Sequence, residues 1–112
     1  MTIIAEANFR RELKRLAKKY PSIAGDYNLL LQSLQDNPHL GTPLGDNCYK
    51  VRLLIRSKNT GKSGGARVIT YLKIERESIH LLSIYDKAEI DSVSDAFIKQ
   101  LVQKVEDDLK NE

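Results

Sequence analysis

ARVITYLKIERESIHLLSIY, residues 66–85, reads as two β-strands folded back on each other. In residues 66–75, Val68, Thr70, Leu72 and Ile74 alternate with Arg67, Ile69, Tyr71 and Lys73. A period of two puts the first set on a core side and the second on the opposite side. Arg76-Glu77 is the candidate two-residue turn, although it lacks the Gly or Asn that favours one. Residues 78–85 form the next strand. Strict alternation sets Tyr85 with Ile79 and Leu81, and His80 with Leu82 and Ile84.

Working backwards, residues 48–56 also alternate. Tyr49, Val51, Leu53 and Ile55 point one way; Lys50, Arg52 and Arg56 point the other, with Leu54 among them. Residues 57–65 read as a flexible basic connector, whose glycines permit backbone conformations that other residues avoid. HLGTPLGDN, residues 39–47, reads as a turn-rich loop.

Two helices precede these strands. Phe9, Leu13, Leu16, Ala17 and Tyr20 recur at helical spacing, with Arg10, Arg11, Lys14, Arg15, Lys18 and Lys19 on the other faces. Pro21 stops this helix. Ser22 is the candidate cap of a second helix carrying Ile23, Tyr27, Leu30, Leu31 and Leu34, which ends at Asn37-Pro38. Residues 2–5 make a short first strand. A last helix starts near Ser92, with Asp95 in a capping-box position, and carries Phe97, Ile98, Leu101, Val102, Val105 and Leu109. The order is β-αα-βββ-α. The expected class is a single α+β domain over residues 1–112: a small antiparallel sheet with helices on one face and the other face open.

Composition narrows the function classes. One cysteine, Cys48, excludes an internal disulfide framework and makes a cytoplasmic location the default. No signal peptide and no apolar run long enough to span a bilayer is visible. His39, His80 and Cys48 lack metal-ligand spacing, so neither a metal nor any other cofactor is expected. The net charge of +3 is unevenly spread. Residues 50–87 hold nine Lys/Arg against three Asp/Glu, whereas residues 88–112 hold three against seven. A cationic middle suits a polyanionic partner, and equally a solvated surface.

Gly61-Lys62-Ser63 looks like the end of a phosphate-binding loop. The first glycine of that motif would fall at position 56, which is Arg56. A strand follows instead of a helix, so no helix N-terminus awaits a phosphate. The alternative is a cationic sheet face. Lys50, Arg52 and Arg56 lie on its open side, and Arg67, Tyr71 and Lys73 join them if Ile69 does not turn that phase inward. Cations with a tyrosine suit a phosphodiester backbone and a stacked base.

GKSGGARVITYLKI followed by IHLLSIYDKAEIDSVSDAFI resembles the RelE/ParE superfamily of bacterial toxin–antitoxin toxins, and within it the HigB-type branch. NFRRELKRLAKKYPSI and NCYKVRLLIRSKNTGKSGG fit the same pattern, so the resemblance covers nearly the whole chain in order. It implies a RelE-like fold and a cytoplasmic toxin of a type II system. Such a toxin is neutralised by a small antitoxin, of helix-turn-helix type for this branch. RelE-like and HigB-like members cut mRNA in the ribosomal A site, while ParE-like members poison DNA gyrase. The alternatives are therefore a metal-independent endoribonuclease and a non-catalytic inhibitor or degenerate toxin acting as a binding module.

The resemblance places catalytic roles on three residues. Arg67, in GGARVI, would hold the scissile phosphate. Lys87, in IYDKAE, falls where related toxins carry a second essential cation. Tyr85 would stack a base or donate a proton, and is equally a candidate core residue. Arg52, Arg56, Lys58, Lys62, Tyr71 and Lys73 would bind RNA, against the plain alternative of a solvated loop and strand surface. Thr70 stands where the family pattern expects an aromatic; it lies in phase with Val68 and Leu72, so packing is the affected property. His80 and His39 read as structural or exposed histidines.

Overall fold

The computed structural model describes residues 1–58 and 64–112. Lys62, and the Gly61-Lys62-Ser63 element with it, lies outside the described residues. The elements are β1 (Thr2–Ala5), α1 (Ala7–Lys19), α2 (Ile23–Asp36), β2 (Thr42–Gly45), β3 (Cys48–Leu53), β4 (Ala66–Lys73), β5 (Ser78–Asp86) and α3 (Asp95–Lys110). The α+β class and the order of the expected elements hold. They form one five-stranded sheet in the order β1-β5-β4-β3-β2.

Two features of the sheet differ from the expectation. β1 runs parallel to β5, with Ile3 opposite Ile79, so the sheet is mixed. The chain between them runs through α1, α2 and β2 to β4, longer than the dozen or so residues that a parallel pair requires. β2 adds a strand inside the segment read as a loop. Its hairpin turns through Asp46 and Asn47, both at positive φ (53° and 62°), the backbone signature of a type I′ turn. Pro43 is tolerated because β2 is an edge strand.

The helices occupy both faces. α1 and α2 cover one face through Phe9, Leu16, Ile23, Leu30 and Leu34, packed on Val51, Leu53, Val68, Leu72, Ile79, Leu81 and Ile84. α3 covers the other through Ile98 and Val105, packed on Cys48, Ile69, Tyr71, Leu82 and Tyr85. The sheet face expected to be open is therefore covered, at least in part, by α3. Its cap is Ser94, whose Oγ accepts from the Phe97 amide at 3.1 Å, two residues later than expected. Ser22 does not cap α2 with its side chain; its hydroxyl donates to Asp26 at 2.6 Å instead.

An irregularity in the β4–β5 ladder explains why alternation misplaces Tyr85. Ile69 pairs with Ser83, but Thr70 pairs with Leu81, so Leu82 is an extra residue on β5. One extra residue reverses the phase of everything after it. Ile79, Leu81 and Ile84 thus all face α1 and α2, while Leu82 and Tyr85 face α3. Thr70 is fully buried, and its hydroxyl has no hydrogen-bond partner among the described residues. Ile74, expected on the core side, lies past the end of β4 in a short 3₁₀ turn and is exposed.

Gly65 has a steric role that conformational freedom does not describe. A Cβ placed there would stand 2.2 Å from the Leu53 carbonyl oxygen. Only a residue without Cβ lets the chain pass this close to β3 and enter β4 in register. Gly65→Ala is expected to destabilise the domain by about 1–3 kcal/mol, as overpacking does. Denaturant titration checks this, and an unchanged midpoint contradicts it.

Candidate nucleic-acid interface

Three strands bring Arg52, Arg67 and Tyr85 into one row. Arg67 sits opposite Arg52 on β3 and opposite Tyr85 on β5. Neighbouring strands lie about 4.8 Å apart, so the three side chains leave the α3 face of the sheet side by side. Arg52 is exposed, while Arg67 retains 7% of its surface and Tyr85 1%. Arg67 donates from Nη1 to the Ala66 carbonyl at 3.1 Å. The Tyr85 hydroxyl is buried with no hydrogen-bond partner among the described residues. A buried donor left unmatched is costly.

Two lysines flank the row. Lys50 is one register step along β3, opposite Ile69, and is half-buried. Lys87 follows Tyr85 by two residues; its amide donates to the Gly65 carbonyl at 3.0 Å. The Lys87 ammonium donates to Asp91 Oδ1 at 2.5 Å and to the Asp91 carbonyl at 3.0 Å. Lys87 and, more weakly, Lys50 hold the Asp91 carboxyl below its ordinary range. Asp91 is 94% exposed, so a phosphate can replace it at little cost. Alternation places Lys50 on the cationic face with Arg52, although it was not among the expected RNA contacts.

Four expected RNA contacts are committed elsewhere. Arg56 donates from Nε to the buried Asp26 of α2 at 2.9 Å, on the α1–α2 side. Lys58 donates to the buried Asp86 at 2.6 Å and to the Gly64 carbonyl at 2.8 Å, and lies 5.5 Å from the Tyr20 ring centre. Tyr71 and Lys73 do lie on the α3 face, but both bind Glu106 of α3. Tyr71 donates its phenol proton there, and Lys73 reaches the two carboxylate oxygens at 2.7 and 2.9 Å. These two residues fasten α3 to the sheet.

The fastening leaves a titration signature. Burial, then the Glu106 contact, push Tyr71 up to about 12. The Lys73–Glu106 contact raises Lys73, and Lys73, then Tyr71, hold Glu106 below its ordinary range. In Glu106→Gln the Tyr71 midpoint is expected to fall while staying above its ordinary value, because burial is the larger cause. Following phenolate absorbance against pH checks this; an unmoved midpoint removes the contact.

Two other features among the described residues are distinct from the row. Ser78 Oγ lies 3.1 Å from His80 Nε2, and His80 Nδ1 lies 2.8 Å from Glu6 Oε2. That is the bonding order of a nucleophile–base–acid relay. Ser78 and His80 are 4% and 2% exposed, however, so the nucleophile is closed to substrate. The relay ties the β1–α1 junction to β5. A cavity of about 630 Å³ between α2 and β3 is lined by Asp26, Leu30, Val51 and Arg56; it touches Lys50 and Arg52 of the site but neither Arg67 nor Tyr85. Burial raises the Cys48 thiol to about 11, so it is not a thiolate nucleophile at neutral pH. Among the described residues no cluster of His, Cys, Asp and Glu could hold a metal. No helix there is long and apolar enough to cross a membrane.

No family model matches the chain. Among solved structures it is similar to a mutant of the E. coli toxin RelE in the free state, with a TM-score of 0.59 at 15% identity over 93% of this chain and 96% of that one. It is also similar to the isolated E. coli RelE toxin, with a TM-score of 0.56 at 15% identity over 93% and 97% of the two chains. The chain has the RelE-like fold. Within that fold the Arg52–Arg67–Tyr85 row crosses three adjacent strands, with Tyr85 packed beneath α3 and Arg52 exposed. At this identity the RelE likeness shows the fold alone.

Proposed function

We propose that this chain is the toxin of a type II toxin–antitoxin system, a HigB-like ribosome-dependent mRNA endonuclease working in the cytoplasm. The observation that carries the reading is the row of Arg52, Arg67 and Tyr85. It sets a buried guanidinium between an exposed one and an unmatched phenol, with Lys50 and Lys87 at its borders. RelE-like architecture supports the same reading by analogy.

RNA brings its own nucleophile. The 2′-hydroxyl attacks the adjacent phosphorus, the bond to the 5′-oxygen breaks, and a cyclic phosphate and a 5′-hydroxyl result. The 2′-oxygen loses one proton and the 5′-oxygen gains one. Arg67 holds the scissile phosphate and stabilises the charge that builds on it; in a desolvated site that interaction is stronger than in water. Arg52 and Lys50 hold neighbouring phosphates from the solvent side. Tyr85 donates to a phosphate or leaving oxygen, and Lys87 adds positive charge once Asp91 is displaced. The ribosome holds the mRNA in line, which a small sheet face cannot do unaided. The balance requires no metal and no other cofactor.

A second reading has one specific observation behind it. Tyr85 is sealed from solvent beneath α3, so substrate reaches it only if α3 or the 87–94 segment shifts. A protein that never makes that shift is a binding module, whether a ParE-like gyrase poison or a degenerate toxin. Induced expression in a bacterial host separates the readings when translation rate and mRNA 5′ ends are followed together. Growth arrest with new 5′ ends at in-frame positions supports the nuclease. Arrest with translation intact and a DNA-damage response supports gyrase, and no arrest supports a binding module. Co-purification from the native operon is expected to return a small antitoxin of helix-turn-helix type; its absence removes that partner.

A further inference from the structure

We propose that the solvent-facing half of α1 is a second RNA surface, one that takes the phosphate backbone of a double-stranded RNA on the side of the sheet opposite the Arg52–Arg67–Tyr85 row. The choice of RNA over other polyanions rests on the function proposed above; the existence of the surface does not.

α1 spans thirteen residues, and six of them are Arg10, Arg11, Lys14, Arg15, Lys18 and Lys19. At 100° per residue these six fall within one half-turn of the helix circumference, while Phe9, Leu13 and Leu16 fall in the other half. All six are exposed. Glu12, the one carboxylate in the helix, points inward. It accepts from Asn8 at 2.7 Å, from the Ser83 hydroxyl at 2.8 Å and from the Ile84 amide at 3.3 Å. Structural duty does not explain so many cations: the apolar stripe needs solvated residues opposite it, not positive ones.

Neutralisation is one-sided. Arg15 and Lys19 both bind Glu89, each at 3.1 Å. Arg10 donates to the Ala5 carbonyl and Arg11 to Asn8 Oδ1, each at 2.5 Å, neither an ion pair. Lys14 and Lys18 have no ion-pair partner among the described residues. Arg11, Lys14 and Lys18 therefore form an unneutralised strip about 10 Å long at 1.5 Å per residue. A rigid strip of that length meets successive phosphates of a helical backbone. The stacking groups that single strands use are missing from it, because the aromatic residues of α1 and its end, Phe9 and Tyr20, turn inward. Duplex RNA is recognised by shape and backbone, which is what such a strip offers. Placed behind the sheet, it lets one molecule grip structured RNA while its front face takes a single strand.

The test uses the full chain with three probes: an RNA duplex of about 16–20 base pairs, the DNA duplex of the same sequence, and a single-stranded RNA oligonucleotide. Affinity is read by fluorescence anisotropy across a salt series. In Arg11→Glu/Lys14→Glu/Lys18→Glu, duplex RNA affinity is expected to fall about tenfold or more, and the salt slope to flatten by about 2–3. Single-strand binding and thermal melting should match wild type. If the triple variant melts early, Lys14→Gln/Lys18→Gln tests the same surface with a smaller slope change. Undiminished duplex binding by a folded variant overturns the proposal. So does an equal loss on the single strand, or a DNA duplex bound as tightly as the RNA one. If no cleavage is ever seen while the triple variant still loses duplex RNA, the nuclease reading fails and the α1 surface stands.

Discussion

Arg67→Gln is expected to yield a folded protein whose cleavage of ribosome-bound mRNA is slowed about 10²–10³-fold, the usual cost of removing one pre-placed charge-stabilising donor. Glutamine keeps a polar head that can donate to the Ala66 carbonyl, as Arg67 Nη1 now does at 3.1 Å. It loses the charge and the planar fork. Because Arg67 is 7% exposed, that charge acts with little screening, which is why the effect is large. Arg67→Lys should fall between the two, retaining charge but not two-point contact with a phosphate. Arg52→Gln is expected to act differently. Its side chain is exposed, so the loss should fall on binding more than on the chemical step. The measurement is single-turnover cutting on programmed ribosomes, with a melt of each variant. Wild-type cutting by folded Arg67→Gln would take Arg67 out of the site.

Asp86→Ala is expected to cost about 3–5 kcal/mol of stability, the penalty for stripping a buried cation of its counter-charge. Asp86 is fully buried. It accepts from Tyr20 at 2.5 Å, from Lys58 at 2.6 Å and from the Ala88 amide at 3.0 Å. Lys58 keeps only 11% of its side-chain surface, so without Asp86 it is stranded. For a domain of this size the loss corresponds to a melting point lower by about 10–20 °C. The double variant Asp86→Asn/Lys58→Met should recover part of it by removing both charges. Burial pushes the Asp86 carboxyl up, but Lys58, Tyr20 and the Ala88 amide together outweigh it, and the folded value lies below the ordinary 3.8. A lowered folded value means stability that is present above the ordinary value and lost as pH falls through the folded one. Wild type should therefore lose stability on acidification in that range, and the double variant should lose less. Parallel acid limbs in the two proteins would assign the acid sensitivity to other groups.

The two predictions differ in what announced them. The sheet position of Arg67 was legible from alternation, which put it in phase with Ile69 and Tyr71; its role is what the variant tests. Asp86 was not legible, because nothing local marks a carboxylate at a strand end as the anchor of Lys58 and Tyr20. The cations show the same limit. Arg56, Lys58 and Lys73 read as members of one basic face, yet each is held by a carboxylate 28 to 33 residues away in the chain. β2 went unread because its four residues carry a proline and a glycine.

By itself the sequence determined the α+β class, three helices and three of the strands with their pairing, and the concentration of cations in the middle of the chain. These rest on periodicity, which each segment expresses through its own residues before any folding. Only the tertiary structure decided which face α3 covers, where Leu82 reverses the phase of β5, and which cations remain available to a phosphate. A face and a phase are relations between segments. They depend on the ladder register and on which buried carboxylate each cation can reach, and neither exists until the chain has closed on itself.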